Sequence, residues 1–162
     1  MGQYNFEKDI EFGESGESVV RKFLELHGMK FESDNKDSKY DLKMFYPLTN
    51  KSYTYEIKTD EYPDTGNLAV EFECRGKKSG IEVTEADYFL TYFIKLGEIW
   101  NIKTDKLKLI LQRFDFRKTN NSGDVGSGTR LYLVKKEVVQ RFFKIHKVNR
   151  EYLLKLIEND KK

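Results

Sequence analysis

Cysteine and histidine are nearly missing from this chain: Cys74 stands alone, and His27 and His146 are the only histidines. One cysteine excludes an internal disulfide, and no Cys/His set has the spacing of a zinc site, so a reducing, cytoplasmic setting is expected. Long apolar runs are missing as well, and nothing in the sequence is long enough to cross a bilayer. The opening MGQYNFEKDIEFGES lacks the basic-then-apolar order of a signal peptide. No membrane partner is expected. What the chain has in quantity is bulk, with 12 Phe and 10 Tyr among 162 residues. That suffices to fill the core of one domain, since folding at this length removes roughly two thirds of the unfolded surface from water.

Charge is unevenly placed. Residues 1–98 carry 13 Lys/Arg against 20 Asp/Glu, a net of −7, whereas residues 99–162 carry 16 against 7, a net of +9. A carboxylate-rich half suits a cation site and a basic half suits a polyanion. A solvated, salt-bridged surface accounts for the same numbers equally well.

Periodicity predicts a helix over 15–28, where Val19, Val20, Phe23, Leu24 and His27 recur at helical spacing, Ser15 offers a cap and Gly28 a stop. Strands are expected over 39–46 and 52–59, joined through Pro47, Thr49 and Asn50 as an antiparallel hairpin. A third strand spans 67–74, with Leu68, Val70 and Phe72 on one face and Glu71 and Glu73 on the other. Further strands are read over 88–94, 98–102 and 130–134, and helices over 105–113, 136–145 and 150–158. Residues 115–129 read as a polar loop. No internal repeat or heptad pattern is present.

On the second hairpin strand Glu56 and Lys58 share a face, opposite Tyr55 and Ile57. Asp41, near the start of the first strand, is brought toward them by pairing across the turn. Two carboxylates and a lysine suit phosphodiester hydrolysis. Mg²⁺ takes one or two carboxylates and keeps several waters, so Asp41 and Glu56, with the backbone carbonyl of Ile57, are sufficient to anchor it. Lys58 could orient the attacking water, act as a base, or bind phosphate, and the sequence does not separate these roles. Arg75, Lys77 and Lys78, in a Gly-containing loop after the polar-faced strand, are candidates for phosphate contacts, with Ser79 and Thr84 as hydroxyl donors to a nucleic-acid backbone. Ordinary loop and cap roles explain the same residues.

Asp41 followed by Glu56-Ile57-Lys58 resembles the PD-(D/E)XK signature of restriction-endonuclease-like and Holliday-junction-resolvase-like nucleases, with Tyr40 in the place of the proline. The segment 15–24 is similar to the first helix of the resolvase-like branch, in which a glutamate joins the metal site; Glu17 is the matching position. Ser79-Gly80-Ile81 with Thr84-Glu85-Ala86-Asp87-Tyr88 also resembles a segment that follows the central strands in small members of the superfamily. The resemblance covers residues 14–103. It implies a single α/β nuclease domain over 1–162, with a restriction-endonuclease-like core of a mixed central sheet flanked by helices and a basic C-terminal helical extension over 104–162. It also implies a Mg²⁺-dependent deoxyribonuclease, with Mn²⁺ as substitute metal, acting on DNA, as a homodimer if the resolvase comparison holds, in a prokaryotic or phage-infected cell. Glu71 and Glu73 read first as surface charges, and as candidates to support the metal site from behind only on the expectation that their strand neighbours Glu56 and Lys58. Two alternatives stay open: a non-catalytic nucleic-acid-binding module on the same fold, and an RNA-directed nuclease. For Glu17 a role in the helix dipole competes evenly with metal binding.

Overall fold

The computed structural model describes residues 6–34, 39–120 and 128–162, with side chains of the first helix described from residue 16 onward. In chain order the elements are α1 (Phe6–Leu26), β1 (Lys30–Asp34), β2 (Leu42–Tyr46), β3 (Lys51–Asp60), β4 (Asn67–Cys74), β5 (Lys77–Lys78), a 3₁₀ turn (Gly80–Glu82), β6 (Tyr88–Phe93), β7 (Glu98–Lys103), α2 (Thr104–Arg113), β8 (Arg117–Lys118), β9 (Thr129–Lys135), α3 (Lys136–Val139), a second 3₁₀ turn (Gln140–Phe142), β10 (Lys144–Lys147) and α4 (Arg150–Asp160). The protein is α/β. Six strands form one mixed sheet in the order β1-β2-β3-β6-β7-β10, antiparallel except for the parallel β3–β6 pair; four form a second sheet, β5-β4-β9-β8. Among the described residues no helix is long and apolar enough to cross a membrane.

The hairpin forms as its alternation predicts, with Leu42 opposite Tyr55 and Met44 opposite Tyr53. Leu42, Met44, Tyr55 and Ile57 then face α1, whose Val19, Val20, Phe23 and Leu24 are buried against them, joined by Leu153 of α4. Each such side chain contributes about 1.5–3 kcal/mol on leaving water. Helix α1 begins well before residue 15, so Ser15 is not its cap; that side chain lies outside the described residues. Gly16 weakens the helix on propensity alone. It is buried because α1 touches β3 there: a Cβ at Gly16 would lie 2.1 Å from Thr59 Oγ1.

The second core lies on the other side of the large sheet. Phe89, Phe93, Trp100 and Ile102 of β6 and β7 pack there with Leu68, Val70 and Val134 of the small sheet and with Leu107 and Ile110 of α2. Three expectations are corrected by this arrangement. Strand β4 does not neighbour β3, whose two edges are taken by β2 and β6; its ladder partners are β5 and β9, and its buried Leu68 and Val70 pack onto β6 and β7. The helix expected over 136–145 stops at Val139, and its last residues become β10, which pairs with the open edge of β7. The C-terminal residues are accordingly no helical extension. They complete both sheets, and α4 is fastened to α1 through the Lys22–Asp160 ion pair. Residues 121–127 of the expected polar loop lie outside the described residues; the described part holds β8.

Candidate functional site

Asp41 sits immediately before β2, and its backbone N–H donates to Tyr55 O at 2.9 Å, continuing the hairpin ladder by one residue. That anchor turns the carboxylate onto the neighbouring strand, where Oδ2 accepts the Ile57 N–H at 2.7 Å. The aspartate is therefore bonded to the backbone at the centre of Glu56-Ile57-Lys58. Glu56 and Lys58 project from β3 away from α1, and their side chains meet, with Lys58 Nζ 3.4 Å from Glu56 Oε1. The three residues expected at the centre are brought together.

Burial sets the electrostatics. It pushes the Asp41 carboxyl above the ordinary aspartate range, against the opposing pull of the Ile57 N–H and of Lys58. Burial also pushes Glu56 upward, and the nearby Asp41 charge adds to it, while Lys58 and Thr84 pull the other way. For Lys58, burial disfavours the ammonium, yet the charges of Glu56, Glu71 and Asp41 outweigh it and hold the lysine above its ordinary value. In the metal-free protein these charges favour the ammonium form of Lys58. By surface area the Lys58 side chain is half-buried, 38% exposed against 12% for Glu56.

Glu71 reaches this cluster from the other sheet. Its strand lies across the space between the sheets instead of beside β3, close enough for its charge to act on Lys58. Glu73, two residues on, is turned elsewhere and pairs with Arg130 at 3.3 Å. A bulge between Glu71 and Glu73 separates the two fates. Among the described residues no three His, Cys, Asp or Glu side chains form a metal-holding group. The donor set that does form, two desolvated carboxylates with acid-strengthening help from a single lysine, fits a hard divalent ion. Such an ion accepts one or two carboxylates and favours the charged form that burial opposes.

The segment 79–87 frames the pair. Thr84 is 4% exposed, and its hydroxyl lies 3.1 Å from Glu56 Oε2 and 3.2 Å from Lys39 O while accepting the Ala86 N–H. A direct contact between Thr84 and nucleic acid is thereby corrected: the hydroxyl is used inside, where it orients Glu56. Ser79 is corrected likewise, since its Oγ is buried and meets no hydrogen-bond partner among the described residues. Asp87 locks β6 to β3, accepting from Thr54 N and Oγ1 while its own N–H donates to Thr54 Oγ1 at 2.9 Å. Replacing Thr84 by Val is expected to cost about 1–2 kcal/mol in thermal or urea unfolding, because the Ala86 N–H and the Glu56 oxygen lose their partner. Thr84→Ser restores it.

Arg75, Lys77 and Lys78 are exposed at the end of the β4–β5 hairpin. Arg75 and Gly76 take φ of 52° and 76°, the two left-handed residues of a tight primed turn. No local pattern signals that His27 and His146 meet, yet their ring centroids lie 5.8 Å apart beside Phe23. Strand β10 brings them together, and that strand was read as helix.

Set against family models, curated proteins and solved structures, the chain finds no match in any of the three.

Proposed function

We propose that this chain is a Mg²⁺-dependent deoxyribonuclease of the PD-(D/E)XK type. The observation that carries the reading is the bond from the Ile57 N–H to Asp41 Oδ2, which fastens the aspartate to the Glu56-Ile57-Lys58 tripeptide. Asp41 and Glu56, with the Ile57 carbonyl, would hold the ion. Bound there, Mg²⁺ supplies charge compensation for the phosphate and a water made more acidic. The remaining work belongs to the chain's own groups. Lys58, beside Glu56 at 3.4 Å, would orient the attacking water, take its proton or bind a phosphate oxygen. Thr84 fixes the Glu56 carboxylate through Oε2. Arg75, Lys77 and Lys78 present cationic charge to the phosphate backbone, and β4 carries their turn from the same small sheet that supplies Glu71. Preference for DNA over RNA rests on the sequence resemblance, as does a homodimer acting on branched DNA.

The test incubates wild type and Asp41→Ala with linear, single-stranded and four-way-junction DNA and matched RNA, in Mg²⁺ and in EDTA. Cutting of DNA that needs the metal and fails in the variant is expected. Lys58→Ala is expected to lower the cleavage rate by about 10²-fold. If Lys58→Ala leaves any activity and the metal response untouched while DNA binding stays salt-sensitive, the chain is a binding module instead.

A further inference from the structure

The face of β3 opposite Glu56 and Lys58 looks into a cavity of about 680 Å³ that the nuclease reading does not use. Its size falls in the range of small-molecule sites. Tyr53, Tyr55 and Tyr88 form an aromatic wall, with the Tyr55 and Tyr88 rings stacked at 5.5 Å and Tyr53 set edge-on to Tyr88 at 5.9 Å. Lys103, Lys106 and Lys144 stand around it, each exposed, and no aspartate or glutamate lines it. Asn101 contributes a carboxamide whose buried oxygen meets no partner among the described residues, so internal bonding does not lock that end of the amide.

These features ask for one ligand chemistry. An aromatic wall takes a planar ring, and a nucleobase stacked on such side chains gains roughly 1–3 kcal/mol. Three ammonium groups with no carboxylate in the lining take an anion, although the Asp87 charge acts on Tyr55 and Tyr88 from outside it. We infer that this cavity binds a free nucleoside monophosphate, its base against the tyrosines and its phosphate at the lysines. The inference goes beyond the nuclease reading and does not depend on it, because the cavity shares with the carboxylate centre only the two faces of one strand.

The experiment is calorimetric titration of the full chain in EDTA with the four ribonucleoside 5′-monophosphates, the matching nucleosides and inorganic phosphate. At least one monophosphate is expected to bind with a Kd of about 1 mM or tighter, and tenfold better than its nucleoside or phosphate alone. The double variant Lys103→Glu/Lys144→Glu, altered only at exposed positions and checked for an unchanged Tm, is expected to lose at least about tenfold in affinity. Glu56→Gln is expected to bind as wild type does. The inference is overturned if no monophosphate saturates, if the lysine variant binds equally well, or if the nucleoside or phosphate alone binds as tightly. It is overturned too if Glu56→Gln abolishes binding, which would move the ligand to the carboxylate centre, or if a short single-stranded oligonucleotide binds better than every monophosphate. A failure of DNA cleavage leaves each of these readouts intact, so the two readings are separable.

Discussion

Asp41→Asn is expected to lower metal-dependent DNA cleavage by on the order of 10³-fold while making the metal-free protein more stable at neutral pH. The first effect follows from removing one of two carboxylates available to the ion. The second follows from burial. In the folded chain the Asp41 and Glu56 carboxyls lie above their ordinary range, chiefly because they are desolvated. The fold therefore holds their protons more readily than the unfolded chain does. That advantage is fully present below the unfolded pKa and is lost as pH rises through the folded pKa, leaving at neutral pH two charges in a place that disfavours them. Asparagine keeps an oxygen for the Ile57 N–H and drops the charge, a change worth about 1 kcal/mol. Thermal unfolding in EDTA at pH 7 should show a higher Tm for Asp41→Asn than for wild type. Added Mg²⁺ should raise the Tm of wild type and leave that of the variant where it is. A variant with a lower Tm in EDTA would mean that the aspartate is there to hold the hairpin and not to bind a metal.

Gly80→Val should destabilise the protein by about 3 kcal/mol and weaken the centre from a distance. Gly80 has φ of +52°, which a β-branched residue adopts only under strain. A Cβ there would come within 2.3 Å of Glu71 O, a backbone atom that cannot swing aside. Relief requires β4 to move away from the 3₁₀ turn at the residue whose charge helps to keep Lys58 protonated. Urea unfolding gives the stability loss. Chemical-shift titration of the Lys58 ammonium gives the second readout, with the expectation that its pKa falls toward the ordinary value as Glu71 withdraws. A pKa that stays put in a folded Gly80→Val protein would show Glu71 to be a bystander.

The parts of this centre legible in the sequence are those made by neighbours in the chain. Alternation along 52–59 places Glu56 and Lys58 on one face, and a short turn sets Asp41 beside them, because strand geometry fixes both relations locally. What could not be read depends on contacts between distant segments. Lys144–Lys147 has one aliphatic residue in four and becomes a strand because β7 offers an unpaired edge. Lys30–Asp34 is mostly exposed and carries no core pattern; it forms a strand on the edge of β2. Lys136 looks like one more surface charge, yet it is 8% exposed, its ammonium 2.9 Å from Asp64 Oδ1 and 3.9 Å from the Phe93 ring centroid. No local pattern marks a lysine for such a place. Hydroxyls in a polar loop carry no local mark of burial: Thr84 is enclosed by Lys39 O and Glu56, and the Ser79 Oγ is buried where its backbone bonds to Phe72 of β4.

The pairing of β4 with β9 joins residues at least 55 positions apart, from Cys74 with Thr129 to Asn67 with Lys135. During synthesis the β2–β3 hairpin has its partner strand almost at once, whereas β4 must wait until residue 135 has left the ribosome. Closing so long a loop is entropically costly and slows folding. The nascent chain thus acquires Asp41, Glu56 and Lys58 as an early unit and receives Glu71 late. Refolding followed at a probe on β3 and at one on β4 should resolve two phases, the second carrying the arrival of that last carboxylate.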